Sequence, residues 1–491
     1  MNLEYDKLWF RLAEKGLKKK DLQNLTGLSS ATVAKLSANQ SVSTKTLEKI
    51  CNALNCEINE IVGSSVCSSK EKKNENAVYR MNSFFSGIGG FDLGFERHGF
   101  KTTYLCEIND YCNDVLSHHW PNVKRGFDIN QIDSDSIPDS DVWCGGFPCQ
   151  DISVARGGKR LGLSGSRSGL FYRFADLIEQ REPKVVVLEN VAGLLNSNHG
   201  RDFGVILNRM TSMGYSVAWR LLNTRYFGSP QSRPRMYLCC WKDNPIKAAQ
   251  TLFDSDGAHK CSSERSDFIT PSDKANGPIV PKVSYCLAAT SGRHTGTDWS
   301  RTYVVCEGGV RRMTPIEYER LQGFPDCWTQ VSEAKYGNPQ DCDTLRYTAL
   351  GNAVSVPVIE WLATKMHHQL ALLESKGVER DQIQSVVPEF KHESWHDLDF
   401  SLDDLADTQN TYKWPRAGIA WDGKFIGSSI PPTPHAPIKS DLGSLVQSDV
   451  PDRRYYLTPN AAEGILRRVS SQNRKLFNPL QEALEELSSG K

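Results

Sequence analysis

Apolar and polar positions change rhythm along this chain. Over residues 1–62 the apolar side chains recur at helical spacing. Leu8, Trp9, Leu12 and Ala13 mark a first helix, and Asp21–Leu25 is a short second one ended by Gly27. Ser29–Leu36 is a third, with a serine at its N-cap, and Thr44–Leu54 makes a fourth. A helix, a short glycine turn and a polar helix is helix-turn-helix spacing; a plain bundle for dimerisation or autoinhibition has the same pattern. Ser64–Asn76 is rich in Ser, Lys, Glu and Asn and reads as a linker. From Met81 onward short apolar runs alternate with amphipathic segments. Ser83-Phe84-Phe85, Thr102–Cys106, Val123–Phe127, Val142–Cys144 and Val185–Leu188 read as strands, and 90–97, 108–117, 170–181 and 201–213 as helices. This βαβ rhythm predicts an α/β fold, a doubly wound Rossmann-like sheet, preceded by a small all-α domain. Beyond about residue 367 the chain looks appended. It carries the acidic stretch Asp397–Asp407, the Pro-rich loop Pro431–Pro434, and two helices starting at Thr458-Pro459 and Asn478-Pro479, each a cap followed by proline.

In an open α/β sheet, ligands bind outside the carboxyl ends of the strands. Phe85, Glu107, Asp128, Cys149 and Glu189 each follow a predicted strand, so the fold brings all five to one edge. Phe85-Ser86-Gly87-Ile88-Gly89-Gly90 lies between a strand and a helix, where glycines let backbone approach a ligand. Glu107 stands about twenty residues later, the spacing of a ribose-binding carboxylate. Taken alone the loop reads equally as a tight turn, and the Gly-x-Gly-x-x-Gly of a dinucleotide site is absent. Cys149 sits on the proline-stiffened loop Gly145-Gly146-Phe147-Pro148-Cys149-Gln150. A thiol after one buried strand and a carboxylate, Glu189, after the next is a layout for covalent catalysis. Between Gln150 and Gly169, Arg156, Lys159, Arg160 and Arg167 face only Asp151 among several glycines, a composition that suits a basic flap over a phosphate backbone or a disordered polar loop.

Composition narrows the setting. The 491 residues suffice for two or three domains, and 58 basic residues balance 58 acidic ones, so any nucleic-acid surface must be local. The 14 cysteines include no Cys-x-x-Cys pair and the 11 histidines no zinc-finger spacing, so no metal site is expected. No apolar run approaches the ~20 residues of a membrane span, and the N-terminus lacks the shape of a signal peptide. The expected setting is a cytoplasm, bacterial or phage-related, with no membrane partner.

Gly-Phe-Pro-Cys-Gln, the Phe-x-Gly-x-Gly-Gly loop, Glu189-Asn190-Val191, Gln231-Ser232-Arg233-Pro234-Arg235, the block Arg312–Pro325 and the block Tyr347–Pro357 stand in one order. Over residues 80–366 this order resembles the DNA (cytosine-5)-methyltransferase family. The resemblance implies S-adenosylmethionine held by Phe85, Gly87, Gly89 and Ile108, with Glu107 at the ribose, Asp128 and Ile129 at the adenine, and Asn352 and Val354 where the chain returns to the pocket. One departure is Ser83, where the family often has Asp. The same resemblance implies that Cys149 adds to carbon 6 of a flipped-out cytosine, that Glu189 contacts ring nitrogen 3 and the amino group, and that Arg233 binds the carbonyl oxygen, with Arg235 supporting the loop on the DNA side. Residues 80–241 would be the catalytic and cofactor domain, 242–310 the target recognition region with Arg293 in its polar loop, 311–366 the return to the catalytic domain, and 367–491 an extension without an assigned role. Residues 1–62 resemble the Cro/repressor-like helix-turn-helix domains, in which the second helix of the pair enters the major groove; Ser29, Ser30, Thr32, Lys35 and Asn39 are the exposed candidates, and 63–79 is the linker. The expected function is sequence-specific methyl transfer to carbon 5 of cytosine in duplex DNA, with the N-terminal domain as an autorepressor. A homodimer through that domain and an associated restriction enzyme are the expected partners beside DNA. A DNA-bound regulator with an inactive methyltransferase fold and an RNA cytosine methyltransferase are the alternatives.

Overall fold

The computed structural model describes residues 3–4, 8, 12, 17, 19–37, 40, 42–54, 56, 63–64, 79–148, 169–260, 265–274, 277–290, 298–331, 333–372, 378–398, 411–448, 450 and 452–490. They fall into two compact units, 1–73 and 74–491.

In the first unit, strand β1 (Leu3–Glu4) pairs antiparallel with β2 (Gly63–Ser64), and between them lie α1 (Lys19–Thr26), α2 (Ser30–Ser37) and α3 (Thr44–Leu54). Their apolar stripes close on one core of Leu8, Leu12, Leu22, Leu36, Leu47, Ile50 and Leu54. Gly27 ends α1 at φ +65°, a left-handed conformation that glycine adopts without strain. Ser29 Oγ accepts the Thr32 N–H at 3.2 Å, so the serine expected as a cap starts α2.

The second unit is built on a ten-stranded sheet. Its parallel half comprises β3 (Tyr79–Phe84), β4 (Phe100–Cys106), β5 (Lys124–Gly126), β6 (Val142–Gly145) and β7 (Val185–Val191). Helices α4 (Gly90–Glu96), α5 (Asp110–His119), α6 (Gly169–Arg181) and α7 (Arg201–Ser212) alternate with these strands. The order β5-β4-β3-β6-β7 reverses at β3, so the crevice of a doubly wound sheet opens at the carboxyl ends of β3 and β6. Apolar clusters cover both faces, one containing Met81, Phe95 and Val185, the other Phe84, Trp143 and Phe174.

The antiparallel half was less legible. Strands β8 (Tyr215–Asn223) and β9 (Pro234–Lys242) continue the sheet past β7. Sequence pattern indicates β9 but not β8, because β8 is buried on both faces and includes Arg220. The terminal nitrogens of that guanidinium find partners from afar, in the Leu252 carbonyl at 2.7 Å, the Thr433 carbonyl at 2.5 Å and Asp254 at 3.5 Å. Helix α8 (Pro245–Leu252) and the hairpin β10 (Tyr303–Cys306)–β11 (Gly309–Arg312) follow, then α9 (Pro315–Gln322), α10 (Glu333–Tyr336), α11 (Pro339–Asn352), α12 (Val356–Ala371) and α13 (Arg380–Val386). Thr314 and Glu317 form a capping box on α9, and Gly323 ends it. Past these, β12 (His396–Asp397), β13 (Ala417–Trp421) and β14 (Lys424–Ser428) complete the sheet; α14 (Pro459–Ser471) and α15 (Asn478–Ser489) close the chain.

This corrects the reading of the tail as an appendage. Strand β13 pairs antiparallel with β8, Ile419 opposite Ala218, so the extension is integral to the catalytic sheet. Gly418 admits the contact, since a Cβ there would run into Trp219. Thr458 caps α14 as expected, but α15 begins at Asn478 itself, so that asparagine is not its cap.

Candidate active site

The first wall of the site is the loop leaving β3. Phe85 (φ +52°), Gly87 (+55°) and Gly89 (+82°) alternate through the left-handed region, which turns the chain sharply into α4. For Phe85 that conformation costs roughly 1–2 kcal/mol. The turn is held from beneath: the Ser86 N–H donates to the Cys106 carbonyl at 3.0 Å, and the Gly87 N–H to Glu107 Oε2 at 2.8 Å. The other oxygen of Glu107 accepts the Asn109 N–H at 2.8 Å. Glu107 is thereby fixed with free lone pairs facing a cavity of about 750 Å³. Gly87 lines the same cavity, and a Cβ there would meet no protein atom within 4 Å.

Asp128 caps the next turn, its Oδ1 accepting the Asn130 N–H at 2.9 Å. Ile108 and Phe127, 70% and 58% exposed, present large apolar side chains to the cavity, with buried Ile129 beside them. Phe85, Gly87, Glu107, Ile108, Asp128, Ile129 and Asn352 thus meet as expected. Two expected cofactor residues do not line the cavity. Gly89 is the N-cap of α4, where a Cβ would strike Trp120; Val354 is buried, and a Cβ at Gly90 would meet its Cγ2 at 2.7 Å. Both shape the loop through packing. Phe127, whose exposure no periodicity signals, was missed.

The second wall comes from β7 and β9. Glu189 lies within β7, which runs on to Val191, rather than after its end. Antiparallel pairing sets Glu189 opposite Tyr237 and Val191 opposite Arg235, and Arg235 Nε stands 3.2 Å from Glu189 Oε1. Burial pushes the Glu189 carboxyl up from the ordinary glutamate range, against the opposing pull of Arg235 and Arg233. Asn190 Nδ2 donates to the Phe147 carbonyl at 3.1 Å, tying this strand to the Gly146–Pro148 wall of the cavity.

Arg233 departs from expectation. It is 1% exposed, and its terminal N–H groups go to the carbonyls of Leu287 (2.9 Å), Gly351 (3.0 Å) and Ala353 (2.7 Å) and to Cys286 Sγ (3.6 Å). It lines the cavity yet braces two distant chain segments, while Arg235 faces the acid. Arg235, expected on the DNA side, pairs with Glu189 inside the cavity.

Cys149, Arg156, Lys159, Arg160 and Arg167 lie outside the described residues, as do Arg293 and Asn39; Pro148, the residue before Cys149, lines the cavity. In the first unit Ser29, Ser30 and Lys35 are exposed and Thr32 is half-buried. Among the described residues no group of His, Cys, Asp and Glu is placed to hold a metal ion, and no helix is long and apolar enough to cross a membrane.

The arrangement can hold a nucleoside. Its anchored carboxylate suits ribose hydroxyls, its exposed apolar side chains suit a purine face, and a buried acid–guanidinium pair stands across the same cavity. Comparison with known proteins bears on this geometry. The sequence model of the family described as C-5 cytosine-specific DNA methylase matches residues 79–277 and 274–368, and that of the Cro/C1-type HTH DNA-binding domain matches 7–64. The Type II methyltransferase M.NgoBI of Neisseria gonorrhoeae is 35% identical over 308 residues, covering 58% of this chain and 91% of that protein. M.HaeII of Haemophilus aegyptius, also a Type II methyltransferase, is 33% identical over 324 residues, 61% of this chain and 96% of its own. The solved Dnmt2 methyltransferase of S. pombe aligns with 60% of this chain and 99% of its own at 18% identity and a TM-score of 0.46.

Proposed function

The chain belongs to the C-5 cytosine-specific DNA methylase family, and on that premise we propose that it methylates carbon 5 of cytosine in duplex DNA with S-adenosylmethionine as donor. The observation that carries the reading is the shared cavity: the Glu189–Arg235 pair and the Glu107–Asp128 pair open onto one space. Glu107 would hold the cofactor's ribose hydroxyls, Asp128 with Ile129, Ile108 and Phe127 its adenine, and Gly87 leaves the room for it. The cofactor supplies an activated methyl group.

A cytosine inside a duplex hides its ring edge, so the base must swing out into the cavity. The Cys149 thiolate adds to carbon 6, and the displaced electron pair runs toward ring nitrogen 3. Glu189, buried and inclined to keep its proton, gives a hydrogen bond or proton there. Arg235, within reach of Glu189, would stabilise charge on the ring in preference to Arg233, whose terminal nitrogens are taken up by backbone carbonyls. The electron pair returns from nitrogen 3 to carbon 5 as it takes the methyl group, and Glu189 recovers its proton; water then removes the carbon 5 proton, and those C–H electrons rebuild the ring double bond as the thiolate leaves. The Cro/C1-type domain would bind a second DNA site, plausible as its own promoter, and could dimerise there. The relatives are named Type II methyltransferases, and a companion restriction enzyme is proposed by likeness to them.

Incubation with labelled S-adenosylmethionine and mixed duplex DNA, followed by bisulfite sequencing, tests the activity. The wild-type chain should protect cytosines at one short site. Cys149→Ala should abolish transfer while cofactor binding persists; methylation retained by that variant would sink the covalent route.

A further inference from the structure

The recognition region 242–310 has no core of its own among the described residues. Helix α8 packs on the catalytic sheet, and what remains is chiefly the hairpin β10–β11. One face of that hairpin is covered by the far end of the chain. Tyr303 and Val310 share a cluster with Leu457, Ile465, Val469, Phe477, Leu480 and Leu484. The Leu457 N–H donates to the Val310 carbonyl at 2.8 Å, and Arg468 Nε meets the fully buried Asp298 at 2.8 Å, where the Tyr303 hydroxyl also donates at 3.0 Å.

The place of this cover is informative. Segment 286–290 runs along the catalytic wall: the Leu287 carbonyl receives Arg233, and a Cβ at Gly351 would strike Ala288 and Ala289. Arg301 Nη2 donates to the Thr290 carbonyl at 3.1 Å, so residues 298–301 return to the point where the polar loop leaves that wall. There Trp299 Nε1 donates to Gln472 at 2.8 Å, and the Arg474 guanidinium lies 4.5 Å over the Trp299 ring. The turn between α14 and α15 therefore sits at the base of the recognition loop. Arg474 and Lys475 on this turn are exposed and have no carboxylate partner among the described residues.

We propose that residues 452–489 are the second half of the target recognition domain, and that Arg474 and Lys475 bind the phosphate backbone of the duplex beside the flipped base. The partner is DNA because the turn sets two exposed positive charges against residues 298–301, which bond back to Thr290 on the segment that runs along the catalytic wall. This rests on the functional reading above, and Trp299 with Arg474 then forms an amphipathic edge at the rim of the recognition loop.

The test is methylation kinetics of the full-length protein on duplex DNA over a salt series. Arg474→Glu combined with Lys475→Glu should raise KM for DNA about tenfold or more and flatten its salt dependence by one to two units of slope, since each lost phosphate contact removes about one. Both kcat at saturating DNA and S-adenosylmethionine binding should stay at wild-type values, which also certifies folding. Arg474→Lys with Lys475→Arg should keep the wild-type KM. A charge-reversed protein with unaltered KM and slope overturns this inference alone and leaves the helices as core cover. Absence of methylation by the wild-type chain would overturn the functional reading and this inference with it.

Discussion

Two arginines one residue apart carry opposite predictions. Replacing Arg233 by alanine leaves the carbonyls of Leu287, Gly351 and Ala353 unpaired in buried surroundings. Each buried acceptor so stranded costs about 1–3 kcal/mol. Removing the guanidinium also relieves a desolvated charge, whose pKa burial, then Arg235, pulls down to about 10. The net loss is therefore expected at about 3 kcal/mol, which for a unit of roughly 400 residues lowers Tm by about 3 °C. Arg235→Ala leaves a buried acid without its cation, but Glu189 can then hold its proton, so the stability loss is expected below that of Arg233→Ala, at about 2 kcal/mol. Its kcat should fall by roughly 10²–10³, the scale for losing a preorganised donor beside developing charge. Loss of Arg235 should also push the Glu189 pKa further up, because Arg235 is the foremost group lowering it. Thermal melts and single-turnover methylation of the two variants, side by side, separate the roles. An Arg233→Ala protein with wild-type stability and lost chemistry, beside an active Arg235→Ala protein, would refute the assignment.

Two further outcomes follow from the same structure. Asp92, fully buried on α4, has its pKa pushed up to about 7, by burial first and Glu96 next. A raised carboxyl favours the folded state below the unfolded pKa near 4, and that contribution drains away as pH climbs through 7. Stability should therefore drop by about 3 kcal/mol between pH 5 and pH 9, a slope that denaturant titrations of Asp92→Asn should show removed; an unchanged slope in Asp92→Asn would exclude this group. For the N-terminal unit, a footprint of the full chain on the DNA upstream of its own coding region should show a protected site that Lys35→Glu loses; no protection above nonspecific DNA would end the autorepressor idea.

Much of the site could be read from local pattern because local forces make it. Gly27 and the Ser29 cap depend on atoms a few residues away, and the sequence shows both. The strand-end positions of Phe85, Glu107 and Asp128 follow from βαβ periodicity alone, and they do converge. Tertiary structure decided what depends on distant partners. Nothing within Gln231–Arg235 distinguishes the two arginines; segments 54 and 118 residues away capture Arg233, while β7–β9 register turns Arg235 to the acid. Strand β8 hides because Arg220 breaks its apolar run and is neutralised only across the fold, by Asp254 and the Thr433 carbonyl. The tail read as an appendage because its helices and strands pair with one another locally, and nothing in that pattern points to partners outside the tail. One half finds β8 and the other finds the recognition hairpin. Periodicity reports which face of an element is apolar, and only the folded chain supplies the surface that face meets.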